Sequence, residues 1–243
     1  MYKRRPEGWV WRSTDDLSTR FSSTDAQWLE QWVKQRCEPA DPAEISFLQF
    51  TSGSTGHPKG VMISTRNLVN NILAMRQVTR AVEPAQDICM VSWLPQYHDM
   101  GIIGGCLLAP IVGFRADLMS PATFLQQPYA WLKAISKLHA THYAFSASPN
   151  FGYILCLRRV QERQLVGINL SHWCCALNGA EPIRAETLRD FSARYGQYGF
   201  PANAWACSYG LAENCVYVAG IMENPVTLTV ERGPVSYTHL RAH

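Results

Sequence analysis

Long apolar runs are missing from this 243-residue chain. The longest nearly uncharged stretch, Met100 to Phe114, is glycine-rich and too short for a membrane-spanning helix, which takes about 20 apolar residues. Met1 to Trp11 carries Lys3, Arg4 and Arg5 with no apolar core after them, which excludes a secretory leader of the usual kind. Charge is scarce as well. Only 17% of residues are charged, the net charge is +3, and no basic run follows Arg5, so the electrostatic footprint of nucleic-acid binding is absent. The eight cysteines form no CxxC pair and no His/Cys cluster at zinc spacing. Cys174 and Cys175 sit in an apolar run and read as buried thiols, which points to a reducing, cytoplasmic setting. There is no internal repeat and no low-complexity segment. What remains is a chain long enough to bury a core, in one or two domains.

The most informative stretch that is present runs Thr51-Ser52-Gly53-Ser54-Thr55-Gly56-His57-Pro58-Lys59-Gly60. Its glycines let the backbone turn tightly and approach an anion closely. Thr51, Ser52, Ser54 and Thr55 add hydroxyl donors, and Lys59 adds a cation. Successive N–H groups in such a turn can form a concave anion-binding nest. The spacing fits neither the common P-loop nor a dinucleotide fingerprint. The plain alternative is a flexible Gly/Ser turn, and Lys59 beside the rigid Pro58 argues against it.

Around this loop the chain reads as α/β. Residues 1–44 are a polar segment ending in a connector, Glu38-Pro39-Ala40-Asp41-Pro42. Predicted strands are Ile45–Phe50, Ile88–Trp93, His142–Ser146, Cys174–Asn178 and Ala204–Ser208. Predicted helices are Thr65–Arg80, Phe124–Leu138, Pro149–Val160 and Arg184–Tyr195. The first helix, capped by Ser64 or Thr65, carries Leu68, Ile72 and Met75 on one face. The second turns Leu125, Trp131 or Leu132, Ile135 and Leu138 to one side. Strands alternating with helices predict a parallel or mixed sheet with helices on its faces, and ligands gather at the carboxyl ends of such strands.

Three further segments fall at predicted strand ends. Ser92-Trp93-Leu94-Pro95-Gln96-Tyr97-His98-Asp99-Met100-Gly101-Ile102-Ile103-Gly104-Gly105 closes one strand and opens an apolar helix. Alone, His98-Asp99 is as compatible with a satisfied turn as with a catalytic pair. Asn178-Gly179-Ala180-Glu181-Pro182 leaves room for a flat ring against the backbone, or is a turn with proline at the first helical position. Ser208-Tyr209-Gly210-Leu211-Ala212-Glu213 ends the next strand. The Ser146-Ala147-Ser148-Pro149-Asn150-Phe151-Gly152-Tyr153 run reads equally as core packing or as part of a site.

Taken in order, these segments resemble the motifs of adenylate-forming enzymes, from the Thr-Ser-Gly-Ser-Thr-Gly-x-Pro-Lys-Gly loop to the Tyr-Gly-x-x-Glu element. The forms Leu-Pro-x-Tyr-His-Asp-Met-Gly-x-Ile-Gly-Gly and Pro-Asn-Phe are similar to those of one branch, the fatty acyl-AMP ligases. The resemblance covers roughly residues 45–220 and implies a part of that family's large N-terminal domain, with parallel or mixed sheets flanked by helices. It implies ATP and Mg²⁺, and a fatty acid activated as an acyl-adenylate with release of pyrophosphate. By resemblance, Thr51, Ser52, Gly53, Ser54, Thr55, Gly56 and Lys59 would hold the phosphates. Asn178, Gly179, Ala180, Glu181, Tyr209 and Gly210 would surround the adenine. Thr51 and Glu213 would hold the metal, and His98, with Lys59 and Glu213, would serve catalysis. Met100, Ile102, Ile103, Ser148 and Phe151 would line an acyl channel. Ser148 stands where the branch usually has glycine, so it would narrow that channel or change its polarity. The expected acceptor is the phosphopantetheine thiol of an acyl carrier protein, or of a carrier domain in a polyketide or non-ribosomal peptide synthase. A coenzyme A ligase and a non-catalytic nucleotide-binding module are the alternatives.

Two features depart from the family. No Thr-Gly-Asp element follows Glu213, and residues 234–243 (Pro-Val-Ser-Tyr-Thr-His-Leu-Arg-Ala-His) continue none of the preceding pattern. The reading is therefore a partial adenylation domain over 45–233 with a non-native tail, inactive as it stands.

Overall fold

The computed structural model describes residues 41–51, 59–80 and 88–221, together with Gln27, Gln31 and Pro225. Ser52 to Pro58, the middle of the expected phosphate loop, and the tail from 234 lie outside the described residues. The chain divides into two compact units, 1–41 and 42–243. Within the first, Gln27 and Gln31 are helical and exposed.

Six strands form one sheet in the order β4-β3-β5-β6-β7-β8. These are β3 (Ile88–Ser92), β4 (Arg115–Leu118), β5 (Tyr143–Ser148), β6 (Trp173–Asn178), β7 (Trp205–Gly210) and β8 (Tyr217–Ile221). All neighbours are parallel except β8, which runs antiparallel to β7. A strand covered on both faces needs apolar or small residues throughout, and β3 (ICMVS) and β6 (WCCALN) have them. The alternation of side chains then sends successive residues to opposite sides. Ala144, Ala176 and Trp205 face one core, and Phe145, Cys175 and Ala206 face the other.

The first core is built under α4 (Tyr129–Ser136), α5 (Asn150–Arg159) and α6 (Ala185–Tyr195). It is an aromatic cluster. Trp131 meets Trp173 edge-on at 5.1 Å, and Tyr153 meets Trp205 at 4.8 Å. The polar tips of these rings are satisfied: Trp131 Nε1–H donates to Ser146 Oγ at 2.8 Å, and the Tyr153 hydroxyl donates to the Leu177 carbonyl at 2.9 Å. The second core lies under α1 (Thr65–Arg80), a π-helix (Met100–Leu107) and the short α2 (Leu108–Val112). Ser64 caps α1 as expected, its Oγ accepting from the Asn67 N–H while Asn67 Oδ1 accepts from the Ser64 N–H. Leu68 and Ile72 are buried, and Met75 packs against them.

Two antiparallel strands, β1 (Ile45–Thr51) and β2 (Lys59–Ser64), form a separate hairpin that pairs Thr51 with Lys59. β2, β4 and β8 were not among the predicted strands. The predicted helix over 124–138 is two helices: α3 (Pro121–Gln126), capped by Ser120, and α4. Pro128 explains the break, because a proline forces the preceding residue out of helical geometry, and Gln127 sits at φ −136°, ψ 77°. Leu125 consequently lies on the surface while Trp131, Leu132 and Ile135 are buried.

Because Trp131 touches Trp93, Phe124, Tyr153 and Trp173, we expect Trp131→Ala to cost about 3–5 kcal/mol of stability in urea unfolding. A loss below about 1 kcal/mol would show that the cluster can collapse around the gap.

Candidate functional site

From β3 the chain crosses to β4 on one side, and β5, β6 and β7 are then added on the other. Such a reversal opens a crevice at the carboxyl ends of the strands. A cavity of about 480 Å³ lies there, between the ends of β5–β7, the hairpin, α1 and the loop after β3. Its size is that of a small-molecule site. Thr51, His98, Asp99, Ala180, Tyr209 and Gly210 form its polar end. Met75, Met100, Leu108, Phe145, Leu177 and Val216 form an apolar wall.

The loop from Leu94 to Asp99 is wound tightly. The His98 N–H donates to the Pro95 carbonyl at 3.1 Å, and Gln49 Nε2 reaches across from β1 to the Tyr97 carbonyl at 3.3 Å. A Cβ at Gly101 would overlap the Pro95 carbonyl, so only glycine fits there. Asp99 is nearly buried and caps the π-helix, accepting the Met100 N–H on Oδ1 at 2.6 Å. The same oxygen lies 2.8 Å from His98 Nδ1. The Met100 N–H also lies 3.3 Å from that nitrogen, but Nδ1 cannot accept from Met100 while donating to Asp99. The shorter bond to the carboxylate takes the amide, so Nδ1 carries a proton and Nε2 is left for a ligand. The hydrogen bond to Asp99 raises the His98 pKa above its ordinary value; partial burial opposes this and the carboxylate charge adds to it.

At the end of β6, Gly179 runs so close to β7 that an added Cβ would meet Ser208 Oγ at 2.6 Å and its carbonyl oxygen at 2.9 Å. The next residue, Ala180, is held at φ 66°, a left-handed conformation uncommon outside glycine. Tyr209 leaves the end of β7 with 62% of its surface exposed. Exposed backbone at Ala180 and an unpacked ring at Tyr209 thus share one cavity, a cradle suited to a flat heterocycle.

Other expected residues stand elsewhere. Lys59 is exposed at the start of β2, at the foot of the loop whose other foot, Thr51, lines the cavity. Asn178 is fully buried and donates to Asn150 Oδ1 at 3.3 Å; its own Oδ1 has no partner among the described residues. Glu181 accepts the Phe151 N–H at 2.5 Å, which caps α5 where Pro149 offers no side-chain acceptor. Ile103 is buried in the second core and Ile102 packs against it, neither on the cavity wall. Ser148 is on the opposite face of β5 from Phe145 and Ala147, which do line the cavity, and Phe151 stacks edge-on to Trp93 at 5.8 Å.

Glu213 follows Ala212, which lines the cavity, but itself opens on a neighbouring polar hollow with Asn67 and Asn71. Two features fix its turn. Cys215, at φ 70° and ψ −71°, centres a strained γ-turn closed by the Val216 N–H on the Asn214 carbonyl at 2.9 Å. Asn71 of α1 donates to the carbonyls of Asn214 and Tyr217 at 3.1 and 2.8 Å and accepts the Tyr217 N–H at 3.0 Å. Neither Asn71 nor, beyond Met100, the apolar wall was foreseen, because single residues on separate elements form no motif. Among the described residues no group of three His, Cys, Asp or Glu could hold a metal, and Thr51 and Glu213 line neighbouring hollows, so a cation held by both would need further ligand oxygens between them.

The chain matches the AMP-binding enzyme family over residues 5–237. It is 38% identical over 199 residues to the medium-chain-fatty-acid–acyl-carrier-protein ligase TtuA of Teredinibacter turnerae, covering 82% of this chain and 30% of that protein. To the ligase JamA of Moorena producens, named for the same activity, it is 35% identical over 217 residues, covering 85% and 35%. It superposes on the fatty acyl-adenylate ligase of L. pneumophila, solved with acyl adenylate and pyrophosphate, with a TM-score of 0.67 and 43% identity over 75% of this chain and 32% of that one. The chain thus spans about a third of the length of these relatives.

A raised folded-state pKa means that the His98–Asp99 contact stabilises the fold fully below the unfolded pKa and less as pH rises through the folded one. In Asp99→Asn the His98 midpoint, followed by NMR, is expected to fall toward the ordinary value. An unchanged midpoint would remove Asp99 as the cause.

Proposed function

The chain belongs to the AMP-binding enzyme family, and on that premise we propose that the intact protein is a fatty acyl-AMP ligase, with residues 45–233 forming part of its adenylation domain. The observation that carries this reading is one cavity receiving Thr51, His98, Ala180, Tyr209 and Gly210 from four separate segments, against an apolar wall.

In this reading the adenine lies between Ala180 and Tyr209, beside Gly179 and Gly210, with Asn178 and Glu181 bracing the turn behind. The loop from Thr51 through Ser52, Gly53, Ser54, Thr55 and Gly56 to Lys59 cradles the triphosphate. Thr51 and Glu213, a hydroxyl and a carboxylate, suit Mg²⁺, which neutralises phosphate charge when bound. In its protonated form, which the hydrogen bond to Asp99 favours, His98 donates from Nε2 to the fatty carboxylate and aligns it with the α-phosphorus. A carboxylate oxygen forms the bond to that phosphorus, the bond to the bridging oxygen breaks, and pyrophosphate leaves with the electron pair. Positioning and charge neutralisation supply the acceleration. The acyl chain extends along the apolar wall from Met100.

The relatives' names favour a carrier-protein acceptor. Its phosphopantetheine thiol would attack the acyl carbon, forming the thioester and releasing AMP. No disulfide joins the described cysteines and no described helix is long and apolar enough to cross a membrane, which fits the cytoplasmic setting proposed here.

The test is fatty-acid-dependent pyrophosphate release by the intact protein, with coenzyme A and a holo carrier protein as alternative acceptors. Acyl transfer to the carrier alone is the expected result. Transfer to coenzyme A would make it a coenzyme A ligase, and ATP binding without release would make it a non-catalytic nucleotide-binding protein. Tyr209→Ala should weaken ATP binding by about 1–3 kcal/mol, roughly five- to 150-fold, in calorimetry.

A further inference from the structure

The π-helix Met100–Leu107 has three glycines, and they are not equivalent. At Gly101 a Cβ would overlap the Pro95 carbonyl, and at Gly105 it would lie 2.9 Å from Ser92 Oγ. Packing accounts for both. At Gly104 an added Cβ meets no heavy atom within 4 Å, and its φ lies outside the positive range that excludes side chains. Neither packing nor backbone geometry calls for glycine at this position.

What Gly104 does touch is the cavity. A π-helix closes i→i+5 hydrogen bonds, here continued by the Leu108 N–H donating to the Ile103 carbonyl, so residues four to five apart share a face. Met100, Gly104 and Leu108 are so spaced, and all three line the cavity together with Phe145 and Leu177. Between two bulky neighbours, the missing side chain leaves a gap in the apolar wall. π-helical segments are rare and recur at functional sites.

We propose that Gly104 is a specificity-determining residue whose absent side chain sets how large an acyl group the cavity admits. This rests on the reading of the cavity as the site where a fatty acid is activated. Extending the side chain from Gly104 fills space that an acyl chain would otherwise occupy, while His98, Ala180 and Tyr209 keep their places. The position therefore discriminates among acids by size without affecting nucleotide binding.

The experiment compares the intact protein with Gly104→Ala and Gly104→Leu, using butanoate, octanoate and palmitate. Pyrophosphate release gives kcat/KM for each acid, calorimetry gives ATP affinity, and displacement of cis-parinarate fluorescence gives acid binding without turnover. The expected result for Gly104→Leu is a loss of at least about tenfold for palmitate relative to butanoate, with ATP affinity unchanged. Gly104→Ala should fold at least as well as the parent and show a smaller shift in the same direction. An unaltered acid profile, or equal losses for all three acids in folded protein, would overturn the proposal. If the parent binds fatty acids without releasing pyrophosphate, the activity reading fails while parinarate displacement still tests Gly104. If the parent binds no fatty acid at all, both fall.

Discussion

Burial of the parallel sheet on both faces is the constraint on which the rest of the structure depends. Alternate residues of β5, β6 and β7 are committed to one core or the other, so the strands cannot host polar chemistry along their length. Polar groups are then excluded to the strand ends, and the reversal of strand order between β3 and β5 leaves a crevice at one of them. His98, Ala180 and Tyr209 follow three different strands and arrive in one cavity for that reason. The same alternation sends Ser148 away from the cavity and Ala147 toward it, a distinction worth one residue of register.

Backbone strain is concentrated where this crevice is shaped. The two described non-glycine residues at positive φ are Ala180, at the end of β6, and Cys215, in the turn after Glu213. Conformations of this kind cost on the order of 1–3 kcal/mol and persist only where surrounding structure over-determines them. The over-determination is visible at both. Gly179 is pressed against Ser208 and Glu181 is anchored on the Phe151 amide, while Asn71 holds Asn214 and Tyr217 with three hydrogen bonds. Asn71 belongs to α1, so that helix supports the Glu213 turn.

Much of this was legible in the sequence, for physical reasons. Runs such as Ile88–Ser92 and Cys174–Asn178 announce strands because a doubly covered strand must be apolar throughout, and α1 announces itself through Ser64 and the spacing of Leu68 and Ile72. Short motifs at strand ends were legible because a contiguous segment supplies each corner of the cavity. The β4 strand Arg-Ala-Asp-Leu was not, being a short, mostly exposed edge with no periodic signal. Pro128 lies inside the predicted helix 124–138, whose apolar spacing continues on either side of it, and the fold follows the proline. Most of the apolar wall was illegible because Met75, Phe145, Leu177 and Val216 are single residues on four separate segments, joined only by tertiary packing. Within the 146–153 and 178–181 segments, the motif gave the neighbourhood but not which side chains face inward.

In the proposed function, the ends of β6 and β7 and the loop after β3 form one nucleotide site. Hydrogen–deuterium exchange of the protein with and without ATP tests it most directly, because amide protection reads each segment separately. Added protection is expected at 97–101, 178–181 and 208–213 together. Protection confined to the Asn67–Asn71 side of Glu213, or absent from all three segments at saturating ATP, would contradict it.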